Sequence, residues 1–248
     1  MTNPDKLLTI HTKRSMMFAE LSKLLDFSTG QDTEFEKLLQ ENVIAKQTES
    51  NKFQTNSALK KLYILNDEEP VFKVFHYLWS IAPANEKPLL TLLLALYRDI
   101  LLSDSLETVL KVSPGFNVPA TSIQDCIGSL YPDRYTPKTL LSLSQNIASS
   151  WKQSGHITGK YKNIRTKVTP GYHAVTFALF LGYMDGLRGD FLFQPKWIKA
   201  LDSTEKEIKS LAHEAAQRDL ISFQSAGNVT VINFNLLIQK LNIHGIEN

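Results

Sequence analysis

The chain has 248 residues, a formal net charge of +2, 43% apolar residues and one cysteine, Cys126. That length suffices for a sizeable buried core in one large domain or two smaller ones, and the composition is ordinary for a soluble globular protein. A single thiol excludes an intramolecular disulfide and a zinc site built on several thiolates, and it fits a reducing compartment.

The N-terminal MTNPDKLLTIHTKR lacks the apolar run that a secretory signal needs. Helical periodicity then begins. Phe18, Leu21, Leu24 and Leu25 share a face within 13–27, as do Phe35, Leu38 and Leu39 within 33–43. Phe53, Leu59, Leu62 and Tyr63 do so within 50–65, and Val71, Val74, Phe75, Leu78 and Trp79 within 69–81. A helix over 86–103 follows, with Pro88 tolerated in its first turn. A short helix over 104–112 is ended by Ser113-Pro114-Gly115. Two greasy runs, 89–102 and 174–184, fall short of the roughly 20 apolar residues that a spanning helix needs. Both are expected to be buried core helices, and the protein is expected in the cytoplasm with no membrane partner.

Pro114–Pro119 (PGFNVP) is the strongest internal boundary. It separates a helical domain, 1–113, from a C-terminal region, 119–248. Charge divides the chain differently. From Arg134 to Met184 there is no Asp or Glu, yet the segment holds Arg134, Lys138, Lys152, Lys160, Lys162, Arg165 and Lys167. It therefore carries +7, while the remainder sums to −5. Local potential rather than net charge attracts phosphates, so a polyanion is the first partner to consider. The plain alternative is a cluster of solvated lysines.

Within 119–168 the pattern reads helix, turn, helix, hairpin. Ile123, Ile127 and Leu130 share one face of the first helix, which Tyr131-Pro132-Asp133 ends. Thr136 is a good N-cap and Pro137 suits the first helical position. The second helix reaches about Gln153, with Leu140, Leu143 or Ser144, Ile147 and Trp151 inward, and Gly155 stops it. Its other face shows Lys138, Ser142, Gln145, Asn146, Ser149, Lys152 and Gln153. Ile164, Thr166 and Val168 then alternate with Arg165 and Lys167 after a turn at 159–163, so 156–168 is expected to form a basic hairpin.

That is the shape of a winged helix, whose second helix enters the DNA major groove. Lys138, Ser142, Gln145, Asn146, Ser149 and Lys152 suit base edges and phosphates, and Lys160, Lys162, Arg165 and Lys167 suit phosphates from the wing. His156 adds a phosphate contact if protonated. A weaker echo follows in 195–241. Asp202 to Glu205 opens a helix with Ile208, Leu211, Ala212 and Ala215 inward, and 220–223 and 229–234 form a hairpin about 225–228. Charge is balanced there, which favours packing or protein contact. The expected class is mainly α with small β-hairpins, a helical bundle carrying winged-helix-like units.

No enzyme constellation is visible. Cys126 falls on the inner side of its helix and reads as structural. The six histidines are scattered without a metal-binding pair, and His76 reads as a packing residue. Gly182, Gly186 and Gly189 lack the flanking strand and Lys of a phosphate loop, so they read as a chain turn. Asp67-Glu68-Glu69 reads as helix N-terminal charge, and the basic block holds no carboxylates for a nuclease metal site. No catalytic residue, cofactor or metal is expected.

The segment from Leu38 to Val43, with Thr48, Ser50, Ser57 and Leu59, resembles the "ENxLxxxT-x-S" helix junction of the BrxA-like proteins of BREX phage-defence systems. Leu92–Leu110 resembles the central helical pair of that family, and Tyr135–Ile157 its later helix ending in Gly. The resemblance spans most of 15–160 and does not extend to 185–248. It implies a small helical accessory protein that binds double-stranded DNA and works with other BREX components, including a methyltransferase, without being an enzyme itself. A protein-interaction scaffold and a winged-helix transcriptional regulator are the alternatives.

Overall fold

Apolar side chains recurring every three or four residues set the helices of the first half. A computed structural model describes residues 8–28, 35–226 and 229–245. In it α1 (Phe18–Ser28), α2 (Phe35–Gln40), α3 (Glu49–Tyr63), α4 (Pro70–Ile81) and α5 (Lys87–Arg98) bury their apolar stripes. Thr48 caps α3 by accepting from the Asn51 N–H, and Pro70 and Pro88 sit in first turns where a missing N–H costs little.

Three expectations shift here. The helix expected from Lys13 begins at Phe18, because residues 13–17 run as a strap after a 3-10 turn at Ile10–Thr12. The helix expected over 86–103 breaks at Asp99, whose backbone turns extended (φ −109°, ψ 115°). Its buried carboxylate accepts from the N–H groups of Leu101 and Leu102 and starts α6 (Ile100–Asp104), which α7 (Leu106–Leu110) follows. Phe53, placed on the inner face of α3 by spacing, is 75% exposed.

The PGFNVP segment is not a linker. Asn117 pairs antiparallel with Ile164, Gly115 N–H donates to Arg165 O, and Arg165 N–H donates to Phe116 O, both at 2.8 Å. It thus lies as a third strand beside the hairpin of β1 (Ile157–Thr158) and β2 (Ile164–Arg165), paired Ile157 to Arg165. Between them come α8 (Ala120–Leu130) and α9 (Pro137–Gln153), the latter capped by Thr136. Helix, strand, helix, helix, hairpin is winged-helix order. Gly159 (φ +97°) makes the tip possible, since a Cβ there would lie 2.3 Å from Lys162 O.

The segment from Tyr172 to Met184 is apolar on every side, and such a helix must be sheathed. As α10 it is buried along nearly its whole length. It packs against α4, α5, α11 (Lys196–Lys199) and α12 (Glu205–Gln217). β3 (Ser222–Ala226) and β4 (Val229–Asn233) form the second antiparallel hairpin, followed by α13 (Asn235–Lys240). Residues 227–228 of its turn lie outside the described residues. The capping box opening α12 is Thr204 with Glu207, displacing the pattern expected from Asp202 to Glu205; Asp202 instead takes a left-handed turn (φ +53°).

One continuous apolar cluster runs from Met16 to Ile243, so 1–113 and 119–248 share a core. Phe75 of α4 meets Phe177 of α10 at 5.6 Å between ring centroids. Buried Glu86, just before α5, lies 2.9 Å from His173 Nδ1 and accepts from the Ala174 N–H. A Cβ on Gly171 would fall 2.1 Å from Glu86 Oε1. Gly171→Ala is therefore expected to displace that carboxylate and cost about 2 kcal/mol in urea unfolding, the order of a lost buried hydrogen bond. Among the described residues, no helix is long and apolar enough to cross a membrane.

Candidate nucleic-acid interface

The capped start at Thr136 and the α8 packing face fix how α9 presents its side chains. Leu143, Ser144, Ile147 and Trp151 are buried, and Leu140 is half-buried. Lys138, Ser142 and Gln145 form an exposed stripe, continued by half-buried Ser149 and Lys152. Asn146 is not part of it. Its Nδ2 donates to His11 O at 3.0 Å, and Gln153 accepts from Phe18 N–H while donating to Ser15 and Ser149. The strap thus covers the flank of α9 that periodicity leaves open. Asn146 is a structural anchor, where a base-contacting residue was expected.

At the hairpin, Lys160, Lys162 and Lys167 are exposed. Tyr161, at the tip, is 90% exposed, with Lys160 Nζ 5.3 Å from its ring centre. Periodicity did not single out Tyr161, although Lys-Tyr-Lys at a glycine turn is its sequence signal. Lys167 lies within electrostatic reach of Glu207. That carboxylate is held below its usual pKa by the Thr204 backbone N–H and hydroxyl, with Lys167 adding to them. The block without carboxylates in sequence therefore has one beside it in space.

Arg165 corrects the expectation of a phosphate contact. It is 1% exposed, its Nη2 lies 2.8 Å from Asp202 Oδ2, and its Nη1 donates to the carbonyls of His156 and Thr166. Strict alternation fails there because the hairpin rests on the loop before α12 and needs a charge to meet Asp202. His156 is also withdrawn from the surface, fully buried, with Nε2 donating to Ala200 O at 2.9 Å. Burial lowers its pKa from 6.5 to about 4, the Arg165 charge adding to this against the Ala200 bond. The ring is therefore neutral at pH 7 and cannot bind phosphate.

Its depressed pKa has a stability consequence. Below 6.5 the unfolded chain takes up a proton at this site that the folded chain refuses until about pH 4. The contribution is present in full above 6.5 and declines as pH falls through that window, by about 3 kcal/mol in all. His156→Gln is expected to lose less stability than the parent between pH 7 and 4.5 in urea titrations.

One constellation has the order of a nucleophile, base and carboxylate. His11 Nε2 lies 2.8 Å from Ser150 Oγ, and His11 Nδ1 lies 3.1 Å from Asp99 Oδ2. All three residues are fully buried. Ser150 Oγ also accepts from the Met16 N–H and donates to Asn146 O, so its capacity serves the backbone. The group locks the strap to α9. Separations of 88 and 139 residues hide it from any local motif. Cys126 is half-buried, with Sγ 3.7 Å from Asp104 O. Among the described residues, no group of three or more His, Cys, Asp or Glu is placed to hold a metal ion.

The chain matches no protein-family model, and no curated protein is significantly similar to it.

Proposed function

We propose that the chain is a non-enzymatic accessory component of a BREX-type phage-defence system that binds duplex DNA through α9 and the first hairpin. One observation carries the DNA reading. Lys138, Lys152, Lys160, Lys162 and Lys167 lie on a helix–turn–helix–hairpin, and none of them forms an ion pair among the described residues. In this reading α9 enters the major groove with Ser142 and Gln145 toward base edges. Lys138 and Lys152 meet the flanking phosphates. The wing lysines meet the adjacent backbone, with Tyr161 packed on sugar or base. The defence setting and the other BREX proteins as partners rest on the resemblance over 15–160.

Fluorescence anisotropy of a labelled random duplex, titrated across salt, tests the proposal. Affinity is expected to fall with salt with a log–log slope near −0.9 per phosphate contact. No binding at low salt would move the reading to a protein scaffold. That second reading has its own support, because Leu130, Leu141 and Phe116 are exposed in the same unit.

A further inference from the structure

A second basic surface lies on the other side of the strap from α9. The strap and α3 enclose a cleft of about 630 Å³, lined by residues that include Lys13, Arg14, Phe53, Gln54, Ser57 and Lys61. This is the size of a site for a small organic group. Among the described residues, three of the lining residues are cations and none is an acid. Arg14 is held by the side-chain oxygens of Asn51 at 2.9 Å and Gln54 at 3.3 Å, both neutral, so its position is fixed without cancelling its charge. Across Phe53, a cleft of about 520 Å³ shares Lys61 with the first but also holds two carboxylates, with Lys60 paired to Glu36 and Lys52 near Glu49. The contrast places the anion on the strap side. Phe53 stands between the two clefts with its ring in solvent, although helical spacing assigns it to the core.

We infer that this cleft binds single-stranded DNA, one base stacking on Phe53 while Lys13, Arg14 and Lys61 take the flanking phosphates. Cations lining a groove beside an exposed aromatic are the chemistry of sequence-tolerant single-strand binding. A duplex does not fit that demand, because its bases are already stacked. The site is separate from α9 and the wing and does not depend on their contacting DNA.

The test is anisotropy of the full chain with a labelled dT12 strand, run beside the duplex titration. Phe53→Ala is expected to weaken dT12 binding roughly tenfold or more and to leave duplex binding unchanged. Lys61→Ala is expected to weaken it further and to make it less salt-dependent. Competition by free dTMP at concentrations comparable to the strand would mean that a mononucleotide is the ligand and would overturn the strand assignment. Unchanged dT12 affinity in Phe53→Ala would overturn the site. So would loss of dT12 binding on replacing Lys160 and Lys162 alone. Because Phe53 is largely exposed, its removal is expected to leave the unfolding midpoint unmoved, and a large shift there would contradict the assignment of its ring to solvent.

Discussion

Replacing Lys160, Lys162 and Lys167 together with Ala is expected to make the salt dependence of duplex binding shallower by about 2.7 log units per log unit of salt. Near 0.1 M salt the same relation gives a loss of roughly a hundredfold or more. The loss should be uniform across sequences, since phosphate contacts position a protein without reading bases. All three side chains are exposed and none forms an ion pair among the described residues, so the fold should be unaffected. Arg165→Met supplies the contrast. Arg165 sits in the same hairpin and carries the same charge, but it is buried against Asp202. Its loss should leave the salt slope in place at temperatures where the variant is folded. A slope unchanged in the triple variant would remove the wing from the interface.

Asp202→Asn is expected to lower stability by about 3 kcal/mol or more, because it strands a buried guanidinium without its counter-charge. In a chain of this size that corresponds to a melting point lower by about 10 °C. Asn tolerates the left-handed backbone that Asp202 adopts, so the effect reports the charge and not the turn. Adding Arg165→Met should restore part of the loss, since a buried pair removed together costs less than one partner left alone. Urea unfolding of the two single variants and the double variant gives the coupling directly. Additive effects would mean that the two side chains do not act as a pair.

The elements were largely legible in the sequence. Thr136-Pro137 and Gly155 bound α9 as their capping chemistry requires, and the apolar character of 174–184 foretold a buried helix. What periodicity could not supply were contacts between distant segments. Asp99 divides a run that reads as one helix, because its carboxylate caps α6 and accepts from the His11 N–H in the 3-10 turn. Asn146 belongs to the polar face of α9 by spacing, and only the distant His11 carbonyl shows that this flank is covered. Arg165 and His156 follow the same logic, since their partners, Asp202 and Ala200, lie in the loop before α12. Phe53 fails in the opposite direction, an apolar residue at core spacing that is largely exposed.

The position of α10 also bears on how the chain is made. Synthesis runs from the N-terminus, so α4 and α5 emerge first and can receive α10 as soon as it appears. Its remaining neighbours, α11 and α12, are translated afterwards. For that interval the nascent protein carries an apolar helix that only part of its final neighbours can cover. A message truncated just after Met184 would leave the surface that α11 and α12 cover exposed permanently, yielding a product prone to aggregation or to capture by a chaperone rather than a smaller working protein.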